Sequence, residues 1–419
     1  MTTDTREPMV EMKNGSVNWS RWARIIAIFV VAMIALSAIQ ELSGTTQLTS
    51  SGTWGAALRL TVPILLAGLG GLYSERAGIV NIGLEGMMIA GTWFGAWAGW
   101  MYGPWWGVAF GVAGGLFFGL IHAIATVTFG VDQIISGVAI NLLAAGAMRF
   151  LSVVTFTIGT GGGATQSPRI QGFIPTFNVP LLSPFLESVE EKGWFFFSDI
   201  AGILGGFTTT VSWLTVIGLL AVPISAWLLW KTAWGLRLRS VGENPWAAES
   251  LGVPVLRMKY WGVLISGALS GLGGAYLVLV QAGIYREGQT GGRGFIGLGA
   301  LIFGNWIPAG VLAGAGLFGY ADALRLRQAS AVHALLLLIA VGLAAFALWK
   351  VWKKSYGAAA SMAVFAVLFF LWWVTTDEVA TEIVTATPYI ATLLVLSLAS
   401  QRLRMPAADG IPYRKGEAH

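Results

Sequence analysis

Eight ionisable or amide side chains interrupt stretches that are otherwise almost wholly apolar: Arg59, Asn81, Glu85, His122, Asn141, Arg149, Gln281 and Asp322. Such groups are costly in an apolar medium, so each needs a partner or a task. Asn81 and Glu85 are four residues apart and therefore share one helix face. With Asn141, and with Asn305 in the breaker Gly304-Asn-Trp-Ile-Pro308, they are the candidates for lining a polar path. For Glu85 a salt bridge or a place at a helix N-terminus is an equal alternative. Arg59, Asp132, Arg149 and Gln281 lie near expected helix ends and read as caps or interhelical partners. His122 and Asp322 suit a proton relay in type, but the chain has only 3 His, and no second one lies nearby. No metal-ligand spacing, Ser/His/Asp set or pair of catalytic carboxylates stands out, and no metal or cofactor is expected. No G-x-x-x-x-G-K-S/T is present, so this chain has no phosphate loop for ATP.

The elements that position these groups follow from composition. Of 419 residues, 56% are hydrophobic and only 11% charged, and mean hydropathy is +0.72. A soluble chain carries about 25% charge, and a surface of this size cannot be wetted by less than half of that. With 0 Cys, disulfides and thiolate chemistry are excluded. The net charge of +5 points to basic loops on one side of a bilayer rather than to nucleic acid. The chain is an all-α polytopic membrane protein by this reading.

A bilayer crossing needs about 20 mainly apolar residues. Spans are expected near 22–40, 54–73, 82–101, 104–128, 134–157, 209–230, 260–281, 331–349, 358–374 and 384–400, about ten in all. Two shorter pieces, 295–304 and 309–324, flank the breaker and form a broken, re-entrant pair. This divides the chain into a cytoplasmic N-terminal segment 1–21, a transmembrane domain 22–400 and a cytoplasmic tail 401–419. Within the domain, the acidic connection 158–208 is placed outside. The connection 231–259, with Lys231, Arg237, Arg239, Arg257 and Lys259, is placed inside. Lys350, Lys353 and Lys354 then also fall inside, and Asp377 and Glu378 outside; Arg325 and Arg327 fall outside, against the positive-inside rule.

Three blocks recur in order. Gly68–Tyr73 (GLGGLY) resembles Gly271–Tyr276 (GLGGAY), Ile82–Gly86 (IGLEG) resembles Ile296–Gly299 (IGLG), and Phe118–Ile124 (FGLIHAI) resembles Phe318–Leu324 (FGYADAL). The first blocks of each set lie on spans of opposite direction, so the repeat is inverted, as in transporters that alternate access around a central site. Gly111, Gly115 and Gly119 line one helix face, and Gly267 with Gly271 repeat the spacing, which lets helix backbones approach closely.

The connection 231–259 is far longer than a turn and carries its own helix signals. Asn244 suits an N-cap, Pro245 the first helical position, and Gly252 a terminator. A short helix held flat on the membrane face is a device for docking a partner. The stretch Gly235–Val255 (GLRLRSVGENPWAAESLGVPV) resembles the coupling loop of type II ABC importer permeases, of the branched-chain amino acid, ribose and nucleoside superfamily. Ser74–Met88, Gln133–Leu142, Gly292–Gly297, Phe318–Ala323, Pro388–Leu393 and Gly410–Tyr413 resemble its nucleoside or simple-sugar subgroup. The long connection 158–208, the two helices of 331–374 and the extended N-terminal anchor depart from that pattern.

The resemblance implies a permease subunit of an importer for nucleosides, related ribosyl compounds or simple sugars, not an enzyme. Its implied partners are separate ATPase subunits, a second permease subunit, an extracytoplasmic substrate-binding protein and the lipid bilayer. It also implies that Gly242, Glu243, Asn244, Pro245, Ala248 and Gly252 sit in the ATPase groove. The alternatives are a stand-alone proton-coupled secondary transporter using His122 and Asp322, or a channel or scaffold without coupled transport.

Overall fold

The computed structural model describes residues 19–156, 161–327, 329–376, 379 and 403–416. The expected last span 384–400, the Pro388–Leu393 motif, most of the N-terminal segment and the acidic pair Asp377 and Glu378 lie outside the described residues. α1 (Trp19–Ser43) leads into α2 (Ser51–Arg76). Ser50 caps α2 by accepting from the Thr53 N–H at 3.3 Å. α2 is apolar all round and buried along nearly its whole length, as a helix without a polar face must be.

α3 (Leu84–Tyr102) and α4 (Pro104–Ala123) form a hairpin about Gly103, whose φ of +98° and the Pro104 that follows fix the turn. α4 runs on through a π turn at Ile124–Thr128, and α5 (Gln133–Phe156) follows. The connection beyond it holds β1 (Thr176–Phe177), α6 (Leu182–Glu191), α7 (Phe197–Thr208) and β2 (Val211–Ser212), with β1 and β2 paired antiparallel. α8 (Trp213–Lys231) then leads to α9 (Ala233–Glu243) and α10 (Pro245–Ser250). α11 (Val255–Tyr276) ends in a second π turn, Leu277–Ala282. α12 (Arg293–Phe303), α13 (Pro308–Arg327), α14 (Ala329–Trp352) and α15 (Tyr356–Thr375) complete the order.

α2 and α11 are the central pair and run antiparallel. Gly262 lies against Tyr73, Ser266 against Gly70 and Gly273 against Pro63, so the contacts climb one helix as they descend the other. The face bearing α9 and α10 is termed the loop face here, and the opposite one the far face. α3 and α4 pack on α11, while α12 and α13 pack on α2. The expected glycine faces meet: a Cβ on Gly115 would overlap the Gly267 carbonyl, and one on Gly271 the Gly111 carbonyl. Gly91 of α3, the neighbour of α4, abuts Gly271 in the same way. With lipid outside, no hydrophobic drive holds helices together, and this backbone approach replaces it with close van der Waals contact.

Seven described helices are long and apolar enough to cross a membrane: α2, α4, α5, α8, α11, α14 and α15. Ile135, Leu142, Phe150 and Val154 on α5, and Val364 and Leu368 on α15, are exposed apolar side chains. A continuous apolar exterior of this kind is stable in lipid. The expected pair of short pieces is unequal. α12 has 11 residues, about 16 Å of helix, whereas α13 has 20 residues, about 30 Å. The apolar run of 309–324 stops three residues short of the end of α13, at Arg325, which pairs with Asp322 at 2.7 Å and so continues the helix with a charged residue.

Candidate functional site

Asn81 lies in the loop joining α2 to α3 and Glu85 in the first turn of α3, so the two do not share a helix face as the spacing suggested, yet both are buried in the interior. Asn81 is fully buried; its Nδ2 donates to Ser266 Oγ on α11 at 2.9 Å, and its Oδ1 accepts from the Gly83 N–H at 3.0 Å. Asn141 reaches across from α5, accepting from the Gly86 N–H at 2.7 Å and donating to the Ile82 carbonyl at 3.1 Å. It thereby serves the first turn of α3, where backbone N–H groups have no helical partner. Glu85 serves the other helix that starts here. Its Oε1 accepts from the Gly292 N–H at 2.9 Å and its Oε2 from the Gly294 N–H at 2.7 Å, at the N-terminus of α12. A carboxylate with both oxygens on backbone N–H groups at the positive end of a helix dipole is well stabilised without water. The three residues are thus brought together at the adjoining starts of α3 and α12.

Asn305 is not with them. It stands in the turn between α12 and α13 with φ +51°, and its Oδ1 accepts from the Arg404 N–H at 2.6 Å. Beside it, the Trp306 carbonyl accepts from Arg76 Nη2 at 2.7 Å and Trp306 Nε1 donates to Glu75. The turn therefore belongs to the loop face, where α2 ends.

His122 and Asp322 have separate partners. His122 is fully buried, with Nδ1 at 2.9 Å from Ser136 Oγ and Nε2 at 3.4 Å from the Val80 carbonyl. Asp322 bridges two arginines, Arg293 at 3.1 Å and Arg325 at 2.7 Å, and so ties the start of α12 to the end of α13. Of the residues read as caps, Gln281 donates to the Arg59 carbonyl at 2.7 Å, Arg149 pairs with Glu287, and Asp132 accepts from the Ile134 and Ile135 N–H groups, each at 2.9 Å.

On the loop face the expected short helix is present. Asn244 Oδ1 accepts from the Ala247 N–H at 2.9 Å, Pro245 opens α10, and Gly252 takes φ +79° just beyond its end. The six residues named for this loop divide into two sets. Gly242, Pro245 and Ala248 are buried: a Cβ on Gly242 would overlap the Arg76 carbonyl, and Ala248 packs in a core with Val241, Val255 and Met258. Glu243, Asn244 and Gly252 are exposed. Between the last two, Leu251 is 84% exposed on a tip that is otherwise small and polar. Sequence reading passed over Leu251; an apolar residue between Ser250 and the terminating Gly252 was the available sign.

The tail was also passed over as a working part. Its Ala408 N–H donates to the Gly242 carbonyl at 2.9 Å and its Ala407 N–H to Glu243 Oε2 at 3.3 Å. Tyr413 is buried and lies edge-on to Trp246, with ring centroids 5.9 Å apart.

A helical bundle with an apolar exterior and seven described helices long and apolar enough to cross a membrane is the architecture of a multi-pass membrane protein. The branched-chain amino acid transport system/permease component family matches residues 53–348, and the chain belongs to that family of type II ABC permeases. It is 34% identical over 369 residues to a guanosine ABC transporter permease protein of Bacillus subtilis, covering 86% of this chain and 96% of that one. It is 33% identical over 365 residues to a nucleoside ABC transporter permease protein of Lactococcus lactis subsp. cremoris, covering 85% and 95%. A putative glucose ABC transporter permease protein of Haloferax volcanii is 35% identical over 283 residues, covering 67% and 79%. No solved structure matches the chain.

Proposed function

We propose that this chain is the membrane-spanning permease subunit of an ABC importer that carries nucleosides, or related ribosyl compounds and simple sugars, across the cytoplasmic membrane. The observation that carries the reading is α10: a helix of 6 residues, capped at both ends, rooted by Ala248 and presenting Leu251 outward. A helix that short has no stability of its own, so its shape is held by the fold for a partner to grip. With no phosphate loop in the chain, that partner is a separate ATPase subunit. Similarity to permeases named for guanosine and nucleosides favours that substrate class over sugars.

The loop face is cytoplasmic in this reading. It carries Lys231, Arg237, Arg239 and Arg257, and the tail adds Arg404, Arg414 and Lys415 on the same face. The N- and C-termini are then both cytoplasmic. Residues 161–212 face the outside, where a substrate-binding protein docks, and a second permease subunit completes the path.

The two halves form an inverted repeat. Exchanging α2 with α11, α3 with α12 and α4 with α13 converts one set of helix packings into the other, and the central pair is antiparallel. The path runs beside the adjoining starts of α3 and α12, which Asn81, Glu85 and Asn141 hold, toward the turn at Asn305. Glu243, Asn244 and Gly252 enter the ATPase groove with Leu251, while Gly242, Pro245 and Ala248 anchor the loop to the bundle. ATP-driven closure of the ATPases pushes α10, and the halves tilt about the α2–α11 pair. The proton-coupled alternative is not favoured, because His122 and Asp322 share no partner.

Affinity purification from native membranes in mild detergent tests this. Recovery of an ATPase, a second permease and a binding protein is expected. Recovery of the chain alone, where a control ABC complex survives, contradicts the proposal.

A further inference from the structure

Residues 403–413 cross the loop face and touch each element that a coupling motion would have to move. At one end, Asn305 in the α12–α13 turn accepts from the Arg404 N–H. In the middle, the Ala407 and Ala408 N–H groups hold Glu243 and Gly242 at the end of α9, and the Ala408 carbonyl lies against Gly78 in the loop that leads to α3. Gly410 has Val80 of the same loop beside it. At the other end, Tyr413 is buried against Trp246 of α10, in a core shared with Ala248, Val255 and Met258. The segment has no helix or strand, so these contacts, with its own turns, order it. It reaches the loops before α3 and after α12, and it reaches α10.

We propose that residues 403–413 are a strap that carries the movement of α10 to the α2–α3 loop and the α12–α13 turn, and that it stays docked while it does so. The proposal rests on the reading that an ATPase docks on α10. The direct path from α10 into the bundle runs through α9 and the start of α11, and so onto the central pair. α9 reaches that turn through Arg76, which pairs with Glu243 at 3.6 Å and donates to the Trp306 carbonyl, and the strap adds a backbone path to Asn305 through the Arg404 N–H.

The chain has 0 Cys, so an introduced pair is unique. The test uses the full chain, co-expressed with its ATPase and second permease, with nucleoside uptake, ATP hydrolysis and ATPase co-purification read together. Tyr413→Ala is expected to lower uptake about tenfold while co-purification changes by less than about twofold. In the double variant Trp246→Cys/Tyr413→Cys, uptake is expected to be low when reduced and restored when a short thiol-reactive cross-linker joins the two sites. A Tyr413→Ala variant with unchanged uptake overturns the strap and leaves ATPase docking standing. A cross-linked pair no better than the reduced one overturns it as well, because a strap that works docked must work when tethered. Loss of the ATPase from the wild-type complex itself removes the docking reading, and the strap falls with it.

Discussion

Glu85 in the first turn of α3 and Gly294 in the first turn of α12 are joined by a hydrogen bond of 2.7 Å across 209 residues of chain. Together with the bond to the Gly292 N–H, it fastens the starts of the two helices with one side chain. Replacing Glu85 with Ala leaves the buried Gly294 amide and the half-buried Gly292 amide without their acceptor and is expected to cost about 2–4 kcal/mol. Glu85→Gln retains one acceptor and is expected to cost about half as much. Thermal unfolding in detergent reads both, and an Ala variant as stable as wild type removes Glu85 from this structural role.

The glycine crossing of α4 on α11 makes a second prediction with an internal control. Gly115→Val sets a branched side chain against the Gly267 carbonyl and Gly271, and is expected to reduce the yield of folded protein severely. Gly146→Ala on α5 meets nothing within 4 Å and is expected to be neutral or to stabilise by about 0.5–1 kcal/mol. Equal behaviour of the two variants in size-exclusion profiles contradicts the packing described.

Asp409 supplies a pH dependence for the strap. Its carboxyl is buried on the loop face beside that of Glu75. Burial first, and then the carboxyl of Glu75 beside it, push its pKa up to about 9, with Lys259 opposing. Arg76 is the other charged group facing it. The sign follows from linkage. A docked carboxyl that holds its proton to higher pH than a free one favours docking at low pH, and that advantage shrinks as pH rises from about 4 toward about 9. Protease cleavage of the tail is therefore expected to quicken across that range, and Asp409→Asn to flatten the profile. A wild-type profile that is already flat contradicts this.

His122 and Asp322 give the prediction that separates ATP-driven from proton-driven transport. His122 is engaged with Ser136 and Val80, and Asp322 with Arg293 and Arg325. Uptake into proteoliposomes holding ATP is expected to be unchanged when a protonophore collapses the pH gradient. A large loss under constant ATP would favour the relay.

What the sequence made legible follows from how local each signal is. The α10 cap was readable because Asn244, Pro245 and Gly252 act within a few residues of one another. The facing glycines of α4 and α11 were readable as faces, since helical spacing is local, but their mutual contact is not a sequence property. Glu85 could not be assigned because its partners, Gly292 and Gly294, lie more than 200 residues on. The end of α13 was obscured by Arg325, whose charge is compensated by Asp322 only in the fold. For the tail, the motif Gly410–Tyr413 was recognisable, yet its contact with Trp246 appears only once the chain has folded back.

The most direct test of the account is ATP-driven nucleoside uptake by the reconstituted complex carrying Leu251→Asp. Leu251 is 84% exposed, so the substitution leaves the permease fold intact while placing a charge on the docking tip. The account predicts normal yield of this chain, loss of the ATPase on purification, and uptake lowered by about tenfold or more. Uptake at the wild-type level, with the ATPase still bound, would contradict the claim that α10 and its tip are where ATP hydrolysis is coupled to transport.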